Sequence, residues 1–313
     1  MRWENVACDL CGSDEINSNP SLHYDYVLKV PGEFTVVQCK RCGLFYERPR
    51  PDIEHINYLY RTYYPKSESV QENEIKKKLL ENKLFKHVYY KLQGNVEPIV
   101  TGYTRGKVLD VGCGFGKLLT VLKEAGCYVH GIEIDPVCVM ECKKKGLDVV
   151  QNSFENSNID SDIYDTVILS HVIEHFRSPA KSLIEIRRIL KPGGSVILIC
   201  PNYNSFFSKW FGDYWGGAHL PFHFYHFTID TISQMVNKCG FRKDFVKTIN
   251  WECDFSESIN VYLKYNKKAF WKKVLRILYS NNIPVRILVC LILRFIDFLF
   301  PSKGDVMIIK ASK

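Results

Sequence analysis

Residues 107–116 read KVLDVGCGFG, an apolar run that closes on an acid and then carries three glycines at alternate positions. Val108, Leu109 and Val111 suit a buried parallel strand, while Gly112, Gly114 and Gly116 let the chain bend sharply and come close to a ligand. The next segment, KLLTVLKEAG, has helical spacing and stops at Gly126. The glycine turn therefore opens a helix after a strand, which is where doubly wound sheets place their cofactor crevice.

Two cofactor classes use such a turn. A dinucleotide fingerprint needs its third glycine three positions after the second, but here Gly116 follows Gly114 by two and Lys117 holds the dinucleotide position. The next strand, YVHGIEID, carries Glu133 near its end, where a carboxylate can accept both ribose hydroxyls of an adenosine. Asp110, just before the turn, is placed to hold a cationic ammonium group rather than a phosphate.

Three further motifs follow in order: GIEIDP at 131–136, SHVIEHF at 170–176 and LKPGG at 190–194. With DVGCGFG they make residues 107–200 resemble the class I S-adenosylmethionine-dependent methyltransferases. The alternative is a generic Rossmann-like domain with another ligand. The resemblance implies an α/β, Rossmann-like seven-stranded methyltransferase sheet whose last strand, GDVMIIKASK, runs antiparallel, with S-adenosylmethionine as cofactor. The residues it points to are Asp110, Gly112, Cys113, Gly114, Gly116, Glu133, Ser153, Phe154, Ser170 and His171. In the family the loop after strand three meets the adenine, often through an acid followed by an apolar side chain. Here Asn152 and Ser153 fill the acidic region, so an amide or hydroxyl has to serve, and Phe154 either stacks on the ring or packs. Ser170 and His171 end strand four, at the edge where open α/β sheets bind ligands.

The N-terminus carries CDLCG at 8–12 and CKRCG at 39–43. Each pair of thiols with two residues between and a glycine after is a knuckle, and together Cys8, Cys11, Cys39 and Cys42 supply four soft ligands for a closed, structural Zn2+ site. The knuckles, GLFYERPRP and the tyrosine-rich YLYRTYYP resemble an N-terminal ribbon of bacterial methyltransferases that act on sugars and surface-polysaccharide precursors.

Three parts follow from this: a zinc-ribbon-like module at 1–50, a helical linker at 51–100 and a methyltransferase domain at 101–313. In the linker, residues 52–64 look helical and cluster Tyr58, Tyr60, Tyr63 and Tyr64, as a sugar-facing wall or a packed face. Residues 71–93, with Leu79, Leu80, Leu84, Phe85 and Val88, read as an amphipathic helix. Within the large domain, residues 203–227 crowd aromatics, glycines and three histidines just after strand five. The family places a substrate-covering insertion there.

His223, then His226, is expected to act as a base or to orient an acceptor, with His175 as a base or a wall, against the alternative of structural contacts. No metal motif joins His219, His223 and His226, and no acid near them in sequence completes one. A C-terminal helical excursion spans 265–300. Its stretch Ile283–Phe300 is almost wholly apolar, but Arg286, Arg294 and Asp297 fall on one side of a helical wheel. It should bury its apolar face on the core or on another subunit, or lie in a membrane interface.

The chain has 313 residues and a net charge of +8, which suits anionic partners or merely solvated lysines. Met1–Leu10 has no apolar signal core, and eight of the twelve cysteines are scattered through core-like segments, as in a reducing cytosol. The expected location is cytoplasmic, with peripheral contact at the inner membrane face through 265–300 as an option. No basic-aromatic stripe beside the knuckles suggests nucleic acid. The sequence thus implies methyl transfer to oxygen or carbon of a small acceptor, such as a sugar, nucleotide-sugar or glycolipid precursor. The alternatives are a lipid or quinone headgroup at a membrane surface, and a non-catalytic protein that binds a cofactor or nucleic acid.

Overall fold

The computed structural model describes residues 2–18, 20–64, 83–266, 272–279 and 282–313. Five short strands come first: β1 (Trp3–Glu4), β2 (Ser21–His23), β3 (Phe34–Gln38), β4 (Phe45–Glu47) and β5 (Arg50–Pro51). The α/β part supplies β6 (Lys107–Val111), β7 (Tyr128–Glu133), β8 (Asp148–Gln151), β9 (Tyr164–Ser170) and β10 (Leu190–Pro201). After them come β11 (Tyr225–His226), β12 (Arg242–Ile249) and β13 (Val306–Ser312).

The large sheet has seven strands in the order β12-β13-β10-β9-β6-β7-β8, parallel from β10 to β8, with β13 antiparallel to both neighbours. Its middle strands are apolar on both faces because helices cover both sides: Val108, Leu109, Val167, Ile168, Leu169, Val196, Ile197 and Leu198 are almost fully buried. The chain runs β6, β7, β8 to one side, then returns to β9 on the other side of β6. That reversal opens a crevice between the carboxyl ends of β6 and β9.

The helix expected at 52–64 appears, slightly shorter, at Ile53–Thr62, and two further helices form at Pro136–Lys144 and Ile229–Lys238. Asp52 and Asp135 cap the first two by accepting N–H bonds from His55 and Val137, both at 2.8 Å. Of the amphipathic helix expected at 71–93, Lys83–Leu92 is helical, and residues 65–82 lie outside the described residues. LKPGG differs from a plain turn: β10 begins at Leu190, and its pairing with β9 slips between Leu190 and Ser195. The slip takes up the extra residues while the Lys191 ammonium bonds the Asp165 carboxylate beneath it.

The N-terminal strands form a sheet ordered β11-β4-β3-β2, so the 203–227 segment contributes its fourth strand: Tyr225 pairs with Tyr46 and His226 with Phe45. Leu44, Tyr46 and Val37 share one apolar cluster with Val167, Leu169 and Leu198 of the large sheet. Ribbon, insertion and sheet are therefore packed as one body around a common core.

Beyond β12 the chain forms helices Glu252–Tyr265, Lys272–Leu278 and Ile283–Leu299. The polar stripe of the last helix points inward. Arg286 pairs with Glu252, Arg294 donates to the Asn250 carbonyl, and Asp297 accepts from the Asn250 backbone and side-chain amides at 2.9 and 2.7 Å. Val289, Cys290 and Leu293 pack inward beside this stripe, whereas Leu288, Leu291, Phe295 and Phe298 are exposed, Phe298 to 81%. No helix among the described residues is long and apolar enough to cross a membrane.

Candidate active site

The glycine turn leaves β6 as the sequence suggests. Gly112, Gly114 and Gly116 all have positive φ, at +68°, +51° and +70°. At Gly112 the reason is close approach: a Cβ there would lie 2.5 Å from Val172, which belongs to the segment following β9. Beside Gly114 nothing lies within 4 Å, so this side of the turn is open to a ligand. The Cys113 thiol faces the other way and would touch any Cβ on Gly131, so Cys113 can offer the crevice only its backbone.

Glu133 holds this turn together. One carboxylate oxygen accepts the Gly114 N–H at 2.8 Å, and the other accepts Ile134 and Asp135 N–H at 2.7 and 2.9 Å. A carboxylate has about four acceptor positions, so part of its capacity is left for ribose hydroxyls. Asp110 is buried beneath, and burial, then the Glu133 charge, pushes its carboxyl up to about 8. A cation brought into this crevice would be stabilised by Asp110 losing its proton. The loop after β8, expected to meet the adenine, is less open: Phe154 is 3% exposed and packs 6.1 Å from Phe176, while Asn152 caps its own turn by accepting the Ser153 N–H at 2.9 Å.

Across the crevice, Ser170 ends β9 and His171 follows with φ +54°, a left-handed conformation that costs a non-glycine residue about 1 kcal/mol or more. That turn stacks His171 on Trp251, with ring centroids 5.4 Å apart, and drops Glu174 into the interior with His175 half-buried beside it. Glu174 is 1% exposed, and neither carboxylate oxygen has a hydrogen-bond partner among the described residues. Burial raises its carboxyl to about 8.

His175 and His223 meet edge to face at 4.5 Å, and His219 lies 4.9 Å beyond His223. Tyr60 bonds the His175 Nδ1 at 2.9 Å, and Phe222 packs on Tyr60 and Tyr64. Of the tyrosine cluster, Tyr60 and Tyr64 thus pack against these rings, while Tyr58 is exposed. Burial lowers His171 to about 4 and His175 to about 3, and pushes His223 well below its ordinary value, so all three are neutral at physiological pH. His219 goes the other way: burial opposes its charge, but the Glu257 carboxylate at 3.5 Å raises it.

His226 is placed elsewhere. It sits on β11 against Tyr203, in a small cavity shared with His23, Asp213 and Trp215, and burial lowers it to about 3. The one grouping that sequence reasoning missed is Glu174 with His175 and His223. Their ligand-type atoms all lie within 4.8 Å of one another, a grouping that takes only His223 from the 219–226 segment and leaves the expectation for His219, His223 and His226 untouched. The acid comes from the segment after β9, far from 219–226 in the chain, and the neighbouring EH dipeptide was the only available signal.

The four knuckle cysteines converge as expected, also within 4.8 Å, with Cys8 to Cys42 at 3.4 Å and Cys11 to Cys39 at 3.5 Å. Burial raises the Cys42 thiol to about 11 although the Leu44 N–H points at it. Burial likewise opposes the Cys39 thiolate, but N–H groups of Cys42 and Arg41 hold that thiol below its ordinary value. Amides aimed at sulfur around a four-thiol set, two of its cysteines buried and two half-buried, fit a tetrahedral divalent ion.

A family model described as a methyltransferase domain matches residues 84–244, about half of the chain. The chain belongs to the methyltransferase-domain family. The match spans the glycine turn, Glu133, the β9 edge and the histidine segment, in a domain of the class I S-adenosylmethionine-dependent type. A ubiquinone biosynthesis O-methyltransferase of Roseobacter denitrificans is 32% identical over 104 residues, covering 31% of this chain and 41% of that protein. A phthiotriol/phenolphthiotriol dimycocerosates methyltransferase of Mycobacterium tuberculosis is 35% identical over 98 residues, 28% of this chain and 35% of that one. The aligned stretch thus spans less than half of either relative. A solved S-adenosylmethionine-dependent methyltransferase from Archaeoglobus fulgidus has a TM-score of 0.48 and 21% identity, over 72% of this chain and 94% of that one.

Proposed function

We propose that this methyltransferase transfers a methyl group from S-adenosylmethionine to a hydroxyl oxygen, or an acidic carbon, of a small acceptor with a sugar-type headgroup. The observation that carries the reading is the pair of adjoining half-sites: an open glycine turn over buried Asp110 and Glu133, and a neutral pocket of His171, Glu174, His175 and His223 across the same crevice. The bound cofactor supplies a sulfonium-activated methyl group. The protein's part is placement and exclusion of water.

Asp110 faces the positive end of the donor. His175 and His223 wall the acceptor side, and because burial keeps them neutral they act first as orienting groups and only weakly as bases. Tyr60 and Tyr64 add a flat aromatic wall suited to a sugar ring. In the ribbon, Cys8, Cys11, Cys39 and Cys42 would hold a Zn2+ ion that ties the knuckles together, with no open position for chemistry. The test is incubation with labelled donor and a panel of nucleotide-sugars, lipid-linked sugars and quinones. A methylated sugar product supports the reading, and turnover confined to quinones overturns the acceptor class.

A second acceptor class, a lipid or quinone headgroup, is favoured by one observation. Phe206, Phe207, Trp210, Ile292, Ile296 and Phe300 line an apolar cavity of about 760 Å³, with Lys209 and Lys303 also in its wall. The exposed face of helix Ile283–Leu299 continues from it. A chain-bearing acceptor at an acidic bilayer would use such a surface. Flotation with vesicles containing acidic lipid discriminates, since a protein that stays unbound counts against this class.

A further inference from the structure

The acceptor side of the crevice carries one group that methyl transfer alone does not explain. A carboxylate that is 1% exposed, with neither oxygen hydrogen-bonded among the described residues, is costly to bury unless something positive sits beside it. The nearest basic atom among the described residues is the Nδ1 of His171, 3.7 Å from one oxygen and beyond hydrogen-bond distance. Glu174 instead shares its space with His175 and His223, with the ligand-type atoms of all three within 4.8 Å of one another.

Both imidazoles are already oriented. The Nδ1 of His223 lies 3.1 Å from the Gly217 carbonyl, and because a carbonyl only accepts, Nδ1 carries the hydrogen and Nε2 keeps its lone pair. The Nδ1 of His175 lies 2.9 Å from the Tyr60 hydroxyl, which can accept in the same sense. A metal-binding histidine typically has its second nitrogen engaged in just this way, by a carbonyl or another polar group that fixes the tautomer.

We propose that Glu174, His175 and His223 bind one divalent transition-metal ion, at a site distinct from the four-cysteine set. Two imidazoles and a carboxylate suit zinc, iron(II), cobalt(II) or manganese(II) better than calcium or magnesium, which prefer all-oxygen shells. Three protein ligands leave positions open, unlike the closed cysteine set. Those positions adjoin the crevice because Glu174 and His175 follow directly on Ser170 and His171 at the edge of β9. The ion would hold an oxygen of the acceptor there. That role rests on the methyl-transfer reading, whereas binding of the ion does not.

The test uses the full chain with its cysteine site first saturated by one equivalent of Zn2+, then titrated with Co2+ by calorimetry and visible absorption. The expected result is a second equivalent bound, with cobalt d–d bands and no thiolate charge-transfer band. Affinity should fall about tenfold or more in Glu174→Gln and His223→Gln, and about tenfold in Tyr60→Phe, which keeps the ring and loses only the hydroxyl. Circular dichroism and retained zinc report whether each variant is folded. Wild-type protein that takes up no second ion overturns the proposal, as does undiminished cobalt binding by folded Glu174→Gln. Donor binding measured on the same samples separates the two readings. Ion binding without donor binding refutes the methyl-transfer reading and leaves the site standing.

Discussion

The two half-sites of the crevice are built in opposite ways. The proposed donor side comes from two neighbouring strands, β6 and β7, and its key contacts join Gly114 to Glu133 and the Gly112 N–H to the Ile132 carbonyl. The acceptor side gathers Tyr60, His171, Glu174, His175 and His223 from three distant stretches, and strand β11 of the same insertion is paired to the N-terminal ribbon. A locally encoded site is fixed by backbone geometry. A site assembled over long range depends on the packing that holds its parts together.

The contrast is sharpest at Gly112. Placing valine there puts a branched side chain at φ +68° and 2.5 Å from Val172, which should cost about 3 kcal/mol and abolish donor binding. Calorimetry with the donor and thermal melts check both effects. If Gly112→Val binds donor normally, the close packing of turn against β9 segment does not control the crevice.

On the proposed acceptor side, His223→Ala should leave donor affinity within about twofold while turnover falls about 100-fold, because the acceptor loses its orienting group. His226→Ala, in its separate cavity, should lower turnover far less. Equal losses in the two variants would erase the distinction drawn between the His175–His223 pair and the β11 histidine.

The donor side should also exchange a proton. In the free protein Asp110 titrates near 8, above its unfolded value, so the folded state binds the extra proton and stability falls as pH rises from about 4 towards 8. A positively charged donor favours the carboxylate, so binding at pH 7 should release close to one proton, and donor affinity should rise with pH up to about 8. Calorimetry in buffers of different ionisation enthalpy measures this. No release, or uptake instead, would place the donor's ammonium group away from Asp110.

How much of this was legible in the sequence follows the same division. KVLDVGCGFG specifies strand and turn within ten residues, with the helix starting at the next, because glycine at positive φ and a two-sided apolar strand are local properties. The four thiols were legible for the same reason, as two short-range pairs. The Glu174–His175–His223 grouping was not, since no periodicity links a segment after β9 to one after β10. Nor was the orientation of helix Ile283–Leu299: its charged stripe was visible on a helical wheel, but only the contacts with Asn250 and Glu252 show that it faces inward.

The smallest effect is expected at that helix. Phe298→Ser, at a side chain 81% exposed, should change stability by no more than about 0.5 kcal/mol. If the helix lies on acidic membranes, the same substitution should weaken vesicle binding. Unaltered flotation would assign the exposed face to something other than lipid.

The most direct measurement is calorimetric titration of the wild-type protein and Asp110→Asn with S-adenosylmethionine, its demethylated product and NAD. One donor molecule should bind per chain, the neutral-sulfur product should bind too, and Asp110→Asn should weaken both, because donor and product carry the same ammonium group. Binding of NAD with neither sulfur compound retained would contradict the assignment of this crevice to a sulfonium donor.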